Sequence, residues 1–116
     1  MPATALIVDD HASFRGAMRL MLELDGYVVV GEAGDGEEGV RAALELRPDV
    51  VVCDVQMPRM DGFELATRLK AAGGPPVVLI SSHDASDYAE LTRASGARGF
   101  IPKSELSPQR LAALLS

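Results

Sequence analysis

Residues 50–54 read Val-Val-Val-Cys-Asp: four apolar residues in a row, then an acid. A strand that is apolar at every position leaves no face for water, so it belongs inside a parallel sheet covered on both sides. The pattern recurs at Ala-Leu-Ile-Val-Asp-Asp (5–10). In open parallel sheets the chemistry sits just past the carboxyl ends of the strands. Asp9, Asp10 and Asp54 are therefore expected side by side, although far apart in sequence. Crowded carboxylates raise one another's pKa. A bound cation, or chemistry performed by one of the acids, best explains such an arrangement. Lys103, which ends the run Gly-Phe-Ile-Pro (99–102), is the expected fourth member.

Outward from these runs, short β-branched segments alternate with helical patterns, the mark of repeated βα units. Strands are predicted over 4–9, 28–33, 49–54, 76–81 and 98–102, and helices over 12–25, 36–47, 61–72, 85–95 and 107–115. Gly26 can take the left-handed conformation that closes the first helix. Asp35 with Glu38, and Asp61 with Glu64, read as capping boxes. Gly73-Gly-Pro-Pro76 stops the third helix. Ser107-Pro108 starts the fifth, with Ser as cap and Pro at the first position. Phe14, Ala17, Met18, Met21 and Leu22 fall at helical spacing and should face the sheet. With right-handed crossovers, the prediction is one doubly wound (βα)5 domain over 1–116, flavodoxin-like, with a five-stranded parallel sheet of order 2-1-3-4-5. That order sets the first and third strands together at the switch point, with Ser81 and Lys103 at the same edge.

The composition narrows the function. A chain of 116 residues with 47% apolar content suits one globular domain with a real core. Its 17 acids against 11 bases give a net charge of −6, contrary to the basic face that direct nucleic-acid binding needs. The single cysteine, Cys53, excludes an internal disulfide and suits a reducing compartment, hence the cytoplasm. No apolar stretch approaches the ~20 residues of a membrane span, and no signal peptide is evident at the start.

Asp9-Asp10 after the first strand, Asp54-Val-Gln-Met-Pro-Arg-Met-Asp-Gly62 after the third, Ser81 after the fourth and Phe100-Ile-Pro-Lys103 after the fifth resemble a receiver domain of two-component response regulators, the CheY-like family. Arg15 also sits where that family often has a basic residue. The resemblance implies phosphoryl transfer from a sensor histidine kinase, or a small phosphodonor, to Asp54. It implies Mg²⁺, with Mn²⁺ as a substitute, held by Asp10, Asp54 and the backbone carbonyl of Gln56, with Asp9 acting mostly through water. Lys103 would pair with Asp54 before transfer and with the phosphoryl group after it. Ser81 would donate its hydroxyl to a phosphoryl oxygen, and Phe100 would turn inward to alter a surface formed by the fourth helix, fifth strand and fifth helix. Gln56, Ser82 and His83 are expected to tune the lifetime of the acyl phosphate, and the bulky pair Gln56 and His83 suggests minutes or longer. The chain is not expected to be a turnover enzyme. Homodimerisation on phosphorylation is open, and no membrane partner is expected.

The stretch Gly-Phe-Ile-Pro-Lys-Ser-Glu-Leu (99–106) resembles receivers of NarL/LuxR-type transcription regulators, in which a helix-turn-helix domain follows. A DNA-binding output domain outside this chain is therefore expected, with a stand-alone regulator as the alternative. Pro102 ahead of Lys103 departs from many receivers, and an edge strand tolerates the lost donor. Bland readings stand beside these. Asp9-Asp10 could simply cap the first helix, Cys53 could be a buried small hydrophobe, and His11 is a solvent-facing loop residue unless it brushes the metal site. A haloacid-dehalogenase-type enzyme would space its acids Asp-x-Asp, and a flavodoxin would carry a Ser/Thr/Gly-rich loop after the first strand. A receiver-like module that is never phosphorylated would often lack one member of the set.

Overall fold

The computed structural model describes residues 3–82 and 88–115. Its strands are β1 (Thr4–Val8), β2 (Val28–Ala33), β3 (Val50–Asp54), β4 (Val77–Ser81) and β5 (Gly99–Pro102). Its helices are α1 (Ala12–Leu24), α2 (Gly36–Leu46), α3 (Gly62–Ala71), α4 (Ala89–Ser95) and α5 (Pro108–Leu115), with a 3-10 turn at Lys103–Glu105. The strands form one five-stranded sheet of order β2-β1-β3-β4-β5, all pairs parallel. This is the predicted doubly wound, CheY-like topology.

Alternation along the strands splits the core in two. Ala5, Ile7, Val50, Val52, Val78 and Ile80 pack on one face with Met18 and Leu22 of α1 and Leu111 of α5. Leu6, Val8, Val51, Cys53, Val77 and Leu79 pack on the other with Ala43 of α2 and Leu65 and Leu69 of α3. Burying both faces is what keeps the interior of β1, β3 and β4 apolar, with polar residues only at their ends.

Several predicted boundaries shift by a residue or two. Asp9 lies just outside β1, β3 starts at Val50, and β4 starts at Val77. The part of the fourth predicted helix at 85–87 lies outside the described residues, and Tyr88 is the α4 N-cap. Asp35 accepts from the Glu38 N–H at 2.8 Å and Asp61 from the Glu64 N–H at 2.9 Å, as their spacing predicts. Ser107 caps α5 through the Arg110 N–H at 3.2 Å. Gly26 has φ +92° just after α1. Ala17 corrects the expected α1 face: it is exposed, because Phe14, Met18, Met21 and Leu22 already fill the stripe toward the sheet. No described helix is long and apolar enough to cross a membrane.

Gly62 fixes how closely α3 approaches the sheet. A Cβ there would lie 2.6 Å from the Asp54 carbonyl oxygen and 2.9 Å from the Val55 Cα. Both are backbone atoms that cannot step aside. The Gly62 N–H instead donates to the Val55 carbonyl at 2.9 Å, tying the helix start to the end of β3.

Candidate functional site

The register brings the acids to one edge. Val8 pairs with Cys53, so Asp9 and Asp54 follow at the same level on adjacent strand ends. Asp9 is fully buried, and Asp54 is 2% exposed. Asp10 lies outside, with its side chain 27% exposed. Carboxylate oxygens of Asp9, Asp10 and Asp54 and a ring nitrogen of His11 all lie within 4.8 Å of one another.

Asp9 is held from every side. Its N–H donates to the Ala33 carbonyl at 3.0 Å. Its carbonyl accepts from Arg15 Nη1. Its Oδ1 accepts from the His11 N–H at 2.8 Å, and its Oδ2 faces Lys103 Nζ at 3.0 Å. That contact is an ion pair without hydrogen-bond alignment, so Oδ2 is buried with no aligned donor. Neither acid of the pair caps α1: His11 is the N-cap residue, and the helix start has no side-chain cap.

Lys103 lies between the buried acids, 3.0 Å from Asp9 and 3.6 Å from Asp54. Its ammonium also sits 4.2 Å from the centroid of the Phe14 ring, a cation–π contact. Among the described residues it is the only lysine or arginine paired with this acid cluster through its carboxylates. One cation against three carboxylates leaves excess negative charge. Burial, then the Asp9 charge, push the Asp54 carboxyl up from its ordinary value. Lys103 and the Gln56 N–H, 3.4 Å from Asp54 Oδ1, pull it back only in part. A set of oxygen donors with surplus negative charge suits a hard divalent cation such as Mg²⁺.

The remaining predicted residues divide. Ser81 is fully buried at the end of β4, opposite Pro102 in register, whereas Ser82 is exposed. Phe100 is half-buried against the core. His83 lies outside the described residues. His11 is more than a loop residue: its side chain is 65% exposed, yet Nδ1 lies 3.2 Å from Asp9 and 3.1 Å from Asp10. Cys53 is the expected buried hydrophobe, its thiol donating to the Asp54 carbonyl at 3.3 Å.

Tyr88 was not anticipated. Its ring packs against Phe63 at 5.5 Å and Phe100 at 5.6 Å, and the Gln56 amide reaches its hydroxyl at 3.5 Å. The aromatic residues are spread over three elements, so no spacing in the sequence announces the cluster.

The chain matches the response regulator receiver domain family over residues 5–116. It belongs to that family. The receiver is 38% identical over 103 residues to the transcriptional regulatory protein PdtaR of Mycobacterium tuberculosis, covering 89% of this chain and 50% of PdtaR. It is 47% identical over 111 residues to protein-glutamate methylesterase/protein-glutamine glutaminase 6 of Anaeromyxobacter dehalogenans, covering 90% of this chain and 31% of that protein. Among solved structures it superposes on a two-component response regulator of the LuxR family from Aurantimonas sp. SI85-9A1 with a TM-score of 0.89. Identity there is 31%, over 99% of this receiver and 86% of that chain. The receiver thus spans half or less of the length of these curated relatives, and their activities are properties of those proteins.

Proposed function

We propose that this receiver accepts a phosphoryl group on Asp54 from a sensor histidine kinase and uses it to switch an output surface. The observation that carries this reading is the buried Asp54 carboxylate at the β1–β3 switch point, with Lys103 at 3.6 Å and the Asp9 and Asp10 carboxylates within 4.8 Å. An Asp54 oxygen attacks phosphorus, forming an acyl phosphate. The bond from phosphorus to the donor imidazole breaks, and its electron pair returns to that nitrogen. Mg²⁺, when bound, offsets the repulsion between the carboxylate and the incoming anionic group. The carboxylates of Asp10 and Asp54 and the Gln56 carbonyl would hold it, with Asp9 acting mostly through water, and Mn²⁺ suits the same oxygen donors.

Lys103 then exchanges its pairing with Asp54 for a phosphoryl oxygen, and the Ser81 hydroxyl donates to another. Phe100, half-buried beside Tyr88, moves inward and alters the face made by α4, β5 and α5. This is a population shift biased by one local charge event. The names of the transcriptional relatives and the LuxR-family neighbour support an output on transcription, through a DNA-binding domain outside this chain. The cytoplasm is the expected compartment.

Beryllofluoride with Mg²⁺ tests the reading, because it mimics the acyl phosphate. Amide resonances across the 54–62 loop, β4 and β5 should shift, and Asp54→Ala should abolish the response. An unresponsive wild-type chain would instead be a passive interaction module.

A further inference from the structure

Arg15 touches the acidic site without belonging to its charge-bearing set. It lies one turn into α1, its side chain largely buried at 20% exposure. Its Nη1 donates to the backbone carbonyl of Asp9, and its Nε pairs with Glu32 Oε1 at 3.2 Å. The other oxygen of Glu32 accepts from Arg19 Nη1 at 2.9 Å. Glu32 stands on β2, opposite Ile7 of β1. The Arg19 bond first, and the Arg15 bond after it, hold the Glu32 carboxyl below its ordinary range, so it stays an anion at neutral pH. One guanidinium thus links the first turn of α1 to the peptide just past β1 and to the Glu32 side chain near the end of β2.

From this geometry we infer that Arg15 is a positioning residue for the cation-binding loop, fixing the Asp9 peptide against Glu32 so that the Asp9 and Asp10 carboxylates stay aimed at one point. The inference rests on the receiver reading of that site. The Asp9 carbonyl lies beyond the last rung of the β1–β3 ladder, which ends at Val8 with Cys53. Without Arg15 the fixed points left to the Asp9 backbone are the Ala33 carbonyl and, through its own carboxylate, the His11 N–H, His11 Nδ1 and Lys103. The peptide that leads into Asp10 would then be free to rotate. Groups that orient metal ligands from behind typically change metal affinity by about 10- to 100-fold when removed.

The sign of the effect separates positioning from charge. Acting only as a nearby cation, Arg15 would repel Mg²⁺; Arg15→Met would then tighten binding, and Arg15→Lys would leave it unchanged. Acting as a positioner, both substitutions weaken binding, because lysine keeps the charge and loses the planar fork. The experiment is a Mg²⁺ titration of the wild-type chain and both variants by amide chemical shifts, with circular dichroism and thermal melts alongside. The expected result is a Kd raised about tenfold in both variants, with the Asp10 and His11 amides displaced before Mg²⁺ is added. Unchanged affinity in Arg15→Lys, whatever its Tm, would assign Arg15 to the fold alone and overturn the inference. If Arg15→Met does not fold, Arg15→Lys decides by itself. A wild-type chain that binds no Mg²⁺ would instead remove the receiver reading on which the inference stands.

Discussion

Asp54→Asn should make the unliganded chain more stable. In the native state Asp54 has Lys103 at 3.6 Å and an Asp9 oxygen no more than 4.8 Å away. With an effective dielectric constant of about 20, the attraction is about 4.5 kcal/mol and the repulsion about 3.5 kcal/mol. Asp10 adds a smaller, water-screened repulsion, so the charge interactions nearly cancel. What remains is the dehydration of a carboxylate that is 2% exposed, several kcal/mol per ion, against one long hydrogen bond from the Gln56 N–H. Asparagine removes that charge and keeps the shape. We expect a gain of about 2 kcal/mol at pH 7 without added cation, a rise in Tm of roughly 6–10 °C for a chain of this size. The pH dependence has a defined sign. The folded-state pKa of Asp54 is raised, by burial first and Asp9 second. Below the unfolded-state pKa both states carry the protonated acid, and wild type resembles the variant. As pH climbs from the unfolded toward the folded value, the unfolded state ionises first and wild type loses stability. Above both values the loss is complete. Urea denaturation of both proteins in chelator from pH 3 to 8 measures the difference, in which acids common to both cancel. A variant no more stable than wild type at pH 7, or a gap independent of pH, would refute the reasoning.

Gly62→Ala should destabilise the chain by about 3 kcal/mol in urea denaturation, because the new Cβ would meet the Asp54 carbonyl at 2.6 Å; a change under 1 kcal/mol would show that α3 can back away freely. Native Cys53 should stay unreacted with Ellman's reagent at pH 8 and label only on unfolding, since burial first and the Asp54 charge next push its thiol well up. Prompt labelling of the folded protein would contradict that. After removal of the phosphodonor, label on Asp54 should persist for minutes, as expected from the bulky pair Gln56 and His83 two residues beyond Asp54 and Ser81; loss within seconds would sink the shielding argument.

The fold was legible because each βα unit carries its own local signal. Unbroken apolar runs marked β1, β3 and β4, and Asp35, Asp61 and Ser107 marked helix starts whose caps depend only on residues three positions on. The acids, Ser81 and Lys103 were legible because the topology alone brings strand ends to one edge. What escaped depends on side-chain direction across elements. Arg47 closes α2 with φ +47°, where a glycine would ordinarily stand, and the following Pro48 is the only local hint that the helix stops. The Arg15–Glu32 pair joins residues 17 apart on a helix and an edge strand, and nothing in either segment names the other. Nor could the sequence tell adjacent Asp9 and Asp10 apart by environment, yet one is sealed inside and the other faces water.

That difference makes cation affinity and folding stability parts of one quantity. Lys103 is nearer Asp9 than Asp54, and Phe14 holds its ammonium from a third side, so it cannot neutralise both buried acids equally. The charge left on Asp54 is a destabilisation stored in the folded state. It can be relieved by protonation, by substitution with Asn, or by a divalent cation shared with Asp10. A ligand that binds only the folded chain stabilises it by RT ln(1 + [L]/Kd), about 2.7 kcal/mol at a hundredfold excess over Kd. That is close to the relief expected from Asn. The routes relieve the same buried, poorly solvated charge, so they cannot add. Wild type should gain stability with rising Mg²⁺ while Asp54→Asn, which has lost both the buried charge and an oxygen donor of full charge, gains less. The two stability curves should converge, then cross, as Mg²⁺ saturates the wild-type site. Parallel curves would mean that the cation acts elsewhere than at the Asp54 charge.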